Sequence, residues 1–201
     1  MDQYQTRQTL LERACNRGDE AAWTEFVGYY HAFILMVVRK MGIQQPDADD
    51  MVQAVTLKLW KNIDRFKVDA ERAKFRTWLS AVIRNTVIDH INQRTRQFEN
   101  TGAMADNCNA LPQFMETTSQ PDLDRLISSE WEAYVTTLAM ENIKPLFSSR
   151  AIEVFSMMLD GAEPHAVSEQ FGIQENSVHK LKNRVKDRLI EEIRRIREEL
   201  E

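Results

Sequence analysis

The chain of 201 residues is 43% apolar and 28% charged, and its formal net charge at pH 7 is −5. This composition is ordinary for a globular protein of one or two domains with a buried core. No run of eighteen apolar residues occurs, and the N-terminus lacks the basic start and apolar centre of a secretory signal. We therefore expect a cytoplasmic protein without membrane insertion.

Cysteine usage argues against two further classes. Cys15 and Cys108 lie far apart, and the chain has neither a CxxC pair nor a histidine at metal-ligand spacing from them. This pattern indicates neither a disulfide framework nor a zinc site. We expect no metal and no cofactor.

Charge is distributed unevenly along the chain. Residues 1–97 carry a net charge of +3, residues 98–147 one of −6 and residues 148–201 one of −2. Between Arg72 and Gln97, six basic residues stand against a single Asp. Phosphate responds to charge within a Debye length, so this local patch matters more for nucleic-acid binding than the acidic balance of the whole chain.

Composition divides the chain into two parts joined by residues 99–121. This segment has no sustained periodicity, is rich in Asn, Thr, Ser, Gly and Pro, and contains no Lys or Arg, which predicts an acidic flexible linker. On either side, apolar residues recur at steps of three and four. The sequence therefore predicts an all-α protein of two small helical domains, an N-terminal bundle at 1–98 and a C-terminal domain at 122–201.

Helices are predicted in chain order at 5–17, 20–41, 47–66, 75–96, 123–143, 148–159, 164–171 and 175–199. The second of these has a broad apolar stripe, which predicts packing in a core. The stripe consists of Trp23, Phe26, Val27, Tyr30, Phe33, Ile34 and Val37.

The third predicted helix begins after Pro46 with carboxylates that complement the positive helix end. One of its faces is apolar, formed by Ala48, Val52, Val55 and Leu59. Its other faces mix acid, amide and large apolar groups, a composition that suits a protein partner, although three acids at a helix start are also ordinary capping. The residues of this mixed surface are Asp49, Asp50, Gln53, Leu57 and Trp60.

The fourth predicted helix has a polar loop before it and two distinct sides. One side carries Trp78, Val82, Asn85 and Asp89, and the buried side carries Leu79, Ile83, Val87 and Ile91. An aromatic ring at a helix start, beneath a polar loop, is typical of a site that accepts an unstacked base. The alternative is that Phe75 and Trp78 are core aromatics and that the basic groups are only solvated. We expect Phe75 to be buried.

The helices predicted at 164–171 and 175–199 are joined by a short turn at Gly172, which is the helix-turn-helix arrangement. Five basic residues stand against one Asp between Asn176 and Ile190. Residues near the start of such a helix reach base edges in a major groove, and later ones reach phosphates. The helix start is left open between Glu175 and Asn176. The candidate DNA contacts are Asn176, Ser177, His179, Lys180, Lys182, Asn183 and Arg184.

Together these motifs resemble the sigma factors of bacterial RNA polymerase in their compact extracytoplasmic-function (ECF) form. The run Asp47–Gln53, with Leu57, Leu59 and Trp60, is similar to the family's helix that binds the polymerase clamp. Phe75–Leu79, with Ile83, Asn85, Ile88 and Asp89, is similar to its promoter-melting helix, and Ile173–Leu189 to its upstream-element helix-turn-helix. The three motifs occur in the family's order.

The resemblance implies a transcription initiation factor that is not itself an enzyme. It would bind core RNA polymerase at the β′ clamp and the β flap, melt the minus-ten promoter element and bind the minus-thirty-five element as duplex. An anti-sigma factor is a further partner that the resemblance allows. Polymerase binding is implied for Asp49, Asp50, Gln53, Leu57 and Trp60. Minus-ten binding is implied for Lys67, Arg72, Lys74, Arg76, Trp78, Arg84, Asn85, Arg94 and Arg96, and minus-thirty-five binding for the seven candidate DNA contacts above.

Two other classes stay open. A DNA-binding regulator, with helical sensor or dimerisation elements, would account for residues 148–201 but not for the two N-terminal motifs. A small helical ribonuclease is suggested by the spacing of Arg84 and His90, with His90 as general acid or base. Six residues apart on one helix, the two side chains do not share a face, so a dimer would have to supply the partner.

Overall fold

The computed structural model describes residues 9–63, 73–101 and 120–200, which form helices and connecting turns without a β-strand. The predicted all-α class is confirmed. The α-helices are α1 (Leu10–Ala14), α2 (Glu20–Lys40), α3 (Asp47–Asn62), α4 (Ala73–Thr101), α5 (Gln120–Ile143), α6 (Ser149–Leu159), α7 (Pro164–Phe171) and α8 (Glu175–Leu200). A 3-10 turn, Lys144–Leu146, lies between α5 and α6.

Local sequence sets the helix ends. Thr9 and Glu12 form a reciprocal capping box that begins α1 at Leu10. Helix α4 continues to Thr101, past the predicted end at 96 and into the predicted linker, because no glycine or proline occurs before Gly102. Helix α5 likewise includes Gln120 and Pro121 at its start, where proline is tolerated. Residues 102–119 of the predicted linker lie outside the described residues.

The chain packs as two units, one of Met1–Trp131 with Glu199–Glu201 and the other of Glu132–Glu198. In the first unit, α2 packs against α1, α3 and α4. The Trp131 ring stacks on Tyr30, with ring centroids 5.5 Å apart at 13°, and meets Phe33 edge-on at 5.0 Å. These aromatic contacts place the beginning of α5 in the first packing unit, although the predicted second domain begins at residue 122.

Helix α2 is long and apolar enough to cross a membrane, by length and composition alone. A helix in the core of a bundle has the same composition, and α2 buries its apolar side within the first unit. Phe26, Ile34 and Val37 are at most 1% exposed. The prediction that this stripe packs in a core is confirmed.

The second unit contains two small apolar clusters and the helix-turn-helix. Val154, Val167 and Val178 form one cluster from α6, α7 and α8. Gly172 ends α7 in the left-handed conformation, with φ +60°, which favours glycine. The first turn of α8 begins at Glu175, because the carbonyl of Gln174 accepts hydrogen bonds from the amides of Ser177 and Val178. The predicted turn is confirmed.

A buried carboxylate connects α5 with α8 in the second unit. Glu192 is 4% exposed and accepts hydrogen bonds from Arg195 Nη2 at 2.7 Å and from Asn142 Nδ2 at 2.9 Å. The hydrogen bond from Arg195 is the main cause that lowers the pKa of Glu192, and burial opposes it. Glu192 therefore stays ionised at neutral pH and stabilises the packing of the two helices.

Candidate functional site

The residues predicted to bind polymerase lie along the outward side of α3. Ala48, Val52, Val55 and Leu59 are buried, so the opposite side of the helix faces solvent. Four residues at steps of three, four and three form a continuous row there, which we call the α3 stripe: Asp50, Gln53, Leu57 and Trp60. Leu57 is 52% exposed. Exposed apolar surface that is surrounded by polar groups is typical of protein–protein contact sites.

Trp60 is held in place by two residues from other elements. Its ring lies 4.9 Å from the Trp23 ring at 59°, and the Arg17 guanidinium lies 5.9 Å from its centroid. Arg17 Nη2 also donates to the carbonyl of Lys61 at 3.3 Å. The sequence pattern places Trp23 only in the core and gives no signal for Arg17. These contacts are distant in sequence, so no local pattern indicated them.

The three acids at the start of α3 have different surroundings. Asp47 pairs with Arg94 of α4 and lies 3.9 Å from His90 Nε2. Asp49 accepts a hydrogen bond from Gln45 Nε2 at 3.1 Å, and Asp50 is exposed on the stripe. Asp47 is thus a link between two helices, while Asp50 is presented to solvent. Within the described ranges, no cluster of three or more His, Cys, Asp or Glu could hold a metal ion.

Helix α4 has the two sides that its sequence predicts. Phe75 is fully buried and meets the Phe26 ring at 5.7 Å, so the expectation of burial is confirmed. Trp78 packs on Phe75 at 5.6 Å and is half-buried. Asn85 is exposed on the same side, two turns further along. Asp89 follows on that side and forms an ion pair with Lys58 of α3 at 3.0 Å.

The described arginines among the predicted minus-ten contacts do not gather on one face. Arg76 borders a cavity of about 270 Å³ within the first unit, together with Asp124. Arg84 is half-buried, and Arg94 forms the ion pair with Asp47. Arg96 is exposed on the side that carries Trp78 and Asn85. Lys67 and Arg72, and the side chain of Lys74, lie outside the described residues.

Most of the predicted duplex contacts lie on the exposed side of α8. Asn176, Lys180 and Asn183 follow one another at steps of four and three, and all are exposed. Arg184 lies beside them, with Ser177 half-buried on the same flank. His179 is exposed on the other flank. Lys182 is half-buried and lies two residues from Arg184, so it points to a different side of the helix.

Two arginine–aromatic contacts in the second unit were not predicted from sequence. The Arg184 guanidinium lies 5.6 Å from the centroid of the Phe147 ring. The Arg150 guanidinium lies 5.9 Å from the Phe171 ring, and its Nη2 donates to the carbonyl of Phe171 at the end of α7. Each contact joins residues distant in sequence, so helical periodicity carries no signal for it.

Comparison with known proteins finds a family match in the N-terminal unit. Residues 26–97 match the Sigma-70 region 2 family, a span that includes α3 and most of α2 and α4. The match lies within the first unit and covers less than half of the chain. A probable RNA polymerase sigma factor of Haemophilus influenzae is 32% identical over 63 residues, which cover 31% of each chain. The ECF RNA polymerase sigma factor SigW of Bacillus subtilis is 30% identical over 78 residues, which cover 39% of this chain and 40% of that protein.

The matched segments span less than half the length of these relatives. Within that limit, the resemblance to ECF sigma factors drawn from the motifs is confirmed. The matched region includes both the α3 stripe and the side of α4 that carries Trp78 and Asn85. The regulator and ribonuclease alternatives are not favoured, because neither accounts for this match.

Proposed function

We propose that this protein is an ECF-type sigma factor that binds core RNA polymerase and directs promoter-specific transcription initiation and DNA melting. The observation that carries the proposal is the α3 stripe within the matched region. There an exposed leucine, an indole, an acid and an amide share one side of a rigid helix, which is a composition suited to a protein partner. The factor has no enzymatic activity of its own and acts in the cytoplasm.

Three functional modules follow from this proposal. Residues 1–98 bind the β′ clamp through the α3 stripe and Asp49, and bind the minus-ten element through α4. Residues 122–201 bind the minus-thirty-five duplex through α8 and contact the β flap. Residues 99–121 connect the modules as an acidic linker that leads toward the RNA exit path. RNA displaces the linker there, because the linker carries the same negative charge as nucleic acid. An anti-sigma factor is the expected inhibitor.

On α4, the exposed side offers the groups that an unpaired strand requires. The Asn85 amide donates to and accepts from a base edge, the Arg96 guanidinium pairs with phosphate, and the half-buried Trp78 supports this surface. The ion pair of Arg94 with Asp47 assigns Arg94 a helix-linking role in the unbound chain. We therefore favour Arg96 over Arg94 as the phosphate contact at this end of the helix.

In vitro transcription with core RNA polymerase tests the proposal directly. Core polymerase is incubated with a promoter library, with and without the full chain, and run-off products are sequenced. We expect products from a defined subset of promoters only when the chain is present. Failure of the chain to associate with core polymerase, or products identical with and without it, would overturn the proposal.

A matched pair of variants tests whether α3 contacts the polymerase. Replacing Asp50 and Gln53 together with Ala removes two exposed polar groups of the stripe, and Glu25→Ala removes an exposed acid from α2. We expect the double variant to lose affinity for core polymerase with unchanged helical content, and Glu25→Ala to bind as the parent chain does. Intact binding of the double variant would refute this interface while leaving the transcription result to decide the function.

A further inference from the structure

Arg184 of the second unit lies beside an aromatic ring. Arg184 is exposed, and its guanidinium lies over the Phe147 ring at 5.6 Å, within the distance at which a cation interacts with an aromatic face. Both residues line an open groove of about 610 Å³, with Lys180 and Asn183 on the same helix side. The ring thus lies beneath one of the side chains proposed to contact duplex DNA.

The position of Phe147 is fixed from two directions. Its amide donates to the carbonyl of Lys144 at 3.2 Å, and the next residue, Ser148, is the N-cap of α6. Its ring packs against the apolar cluster that includes the fully buried Val185. Because Val185 directly follows Arg184 in α8, the ring and the arginine backbone are held by the same cluster.

Contact with a ring face suits an arginine that must bind an anion. A carboxylate partner would occupy N–H donors of the guanidinium and cancel its charge, whereas a ring face leaves the donors at the edge of the plane available. A long side chain that is ordered before binding also loses less rotamer freedom when it meets its ligand. Within the described part of α8, Arg184 is the basic residue placed over an aromatic ring.

We propose that Phe147 is a positioning residue that orders the Arg184 guanidinium for a phosphate of double-stranded DNA. This inference rests on the proposed function of α8. Phe147 itself does not contact the DNA. Its ring raises affinity only through Arg184, so the effect of changing Phe147 depends on which residue occupies position 184.

The first test examines the contact between Arg184 and Phe147 without DNA. In the full chain, the Arg184 side-chain Nε–Hε resonance is assigned by NMR from its loss in Arg184→Lys. Ring currents from Phe147 should displace that resonance, Phe147→Leu should return it toward the position of solvated arginines, and Phe147→Tyr should leave it displaced. A resonance that does not respond to Phe147→Leu would overturn the inference.

The second test is a double-mutant cycle on duplex binding. Affinity of the full chain for a fluorescent 30-base-pair duplex is measured for the parent, Phe147→Leu, Arg184→Ala and the double variant. We expect Phe147→Leu to weaken binding about two- to tenfold, the range for ordering one long side chain on binding, and to have no further effect in the Arg184→Ala background. Phe147→Tyr should bind as the parent does.

Each other result contradicts the inference. Equal losses from Phe147→Leu in both backgrounds would show that the ring acts through the fold. An unchanged affinity for Arg184→Ala would place Arg184 away from phosphate, and no duplex binding by the parent would remove the ligand that the inference requires. Run-off transcription with core polymerase is measured on the same variants. Selective transcription by the parent chain would preserve the proposed function even if the Phe147 inference failed.

Discussion

Replacing Leu57 with Ala tests the proposed polymerase interface most directly. Leu57 is 52% exposed, so about half of its side chain is still in contact with water before binding. Full burial of a leucine side chain contributes about 1.5–3 kcal/mol, and burial of the exposed half therefore contributes about 1 kcal/mol. We expect Leu57→Ala to weaken binding to core polymerase about fivefold.

The assay is fluorescence-anisotropy titration of labelled chain with core polymerase, combined with thermal unfolding of the free chain. Leu57→Ala should leave the melting temperature close to that of the parent, because exposed helix positions accept alanine readily. Leu59→Ala is the matched control. Leu59 is 1% exposed, and its truncation should lower the free energy of unfolding by about 2–5 kcal/mol. An unchanged affinity of Leu57→Ala would refute the assignment of this side chain to the interface.

Three further predictions concern other parts of the molecule. Asn85→Ala should keep the stability of the fold and impair open-complex formation in permanganate footprinting, whereas Trp78→Ala should destabilise the fold by about 2 kcal/mol; equal destabilisation would contradict a direct role for Asn85. Glu192→Gln should lower the free energy of unfolding by about 1–3 kcal/mol at pH 7. Because the folded state lowers the pKa of Glu192, its stabilisation is present above the unfolded pKa of about 4.3 and is lost as pH falls through the folded value. Denaturant titrations should therefore show a difference that shrinks in acid, and a pH-independent difference would exclude this cause. Arg184→Ala should reduce the slope of log K against log salt for duplex binding by about 0.9. Lys182→Ala should change that slope less, because Lys182 is half-buried. Equal slopes for the two variants would contradict the observed orientation.

Helical periodicity predicted most of the secondary structure, because apolar residues line the buried face of these helices and polar residues line the exposed face. The burial of Phe75, Leu79 and Ile83 follows from spacing alone, and the glycine turn at Gly172 from backbone sterics. Helix ends were less accurate. Helix α4 extends past 96 because polar residues such as Gln97 and Asn100 are compatible with both a helix and a linker.

The arrangement of the candidate site was only partly predictable. The spacing of Asp50, Gln53 and Leu57 places them together on any regular helix, so the α3 stripe follows from sequence. The different roles of Asp47 and Asp50 do not follow from sequence, because the pairing of Asp47 with Arg94 depends on how α4 lies beside α3. The sequence likewise does not distinguish Arg94, which forms an ion pair, from Arg96, which is exposed to solvent.

The amino-acid pattern is sufficient for the all-α class, the faces of the helices and the order of the three motifs on which the sigma-factor resemblance rests. These properties follow from interactions between residues close in the chain, and periodicity records them. Tertiary packing determines that Trp60 is held by Trp23, that the Trp131 ring lies on Tyr30, and that Arg184 lies over Phe147. Each of these contacts joins residues whose separation in sequence bears no relation to their distance in space, so packing alone selects them.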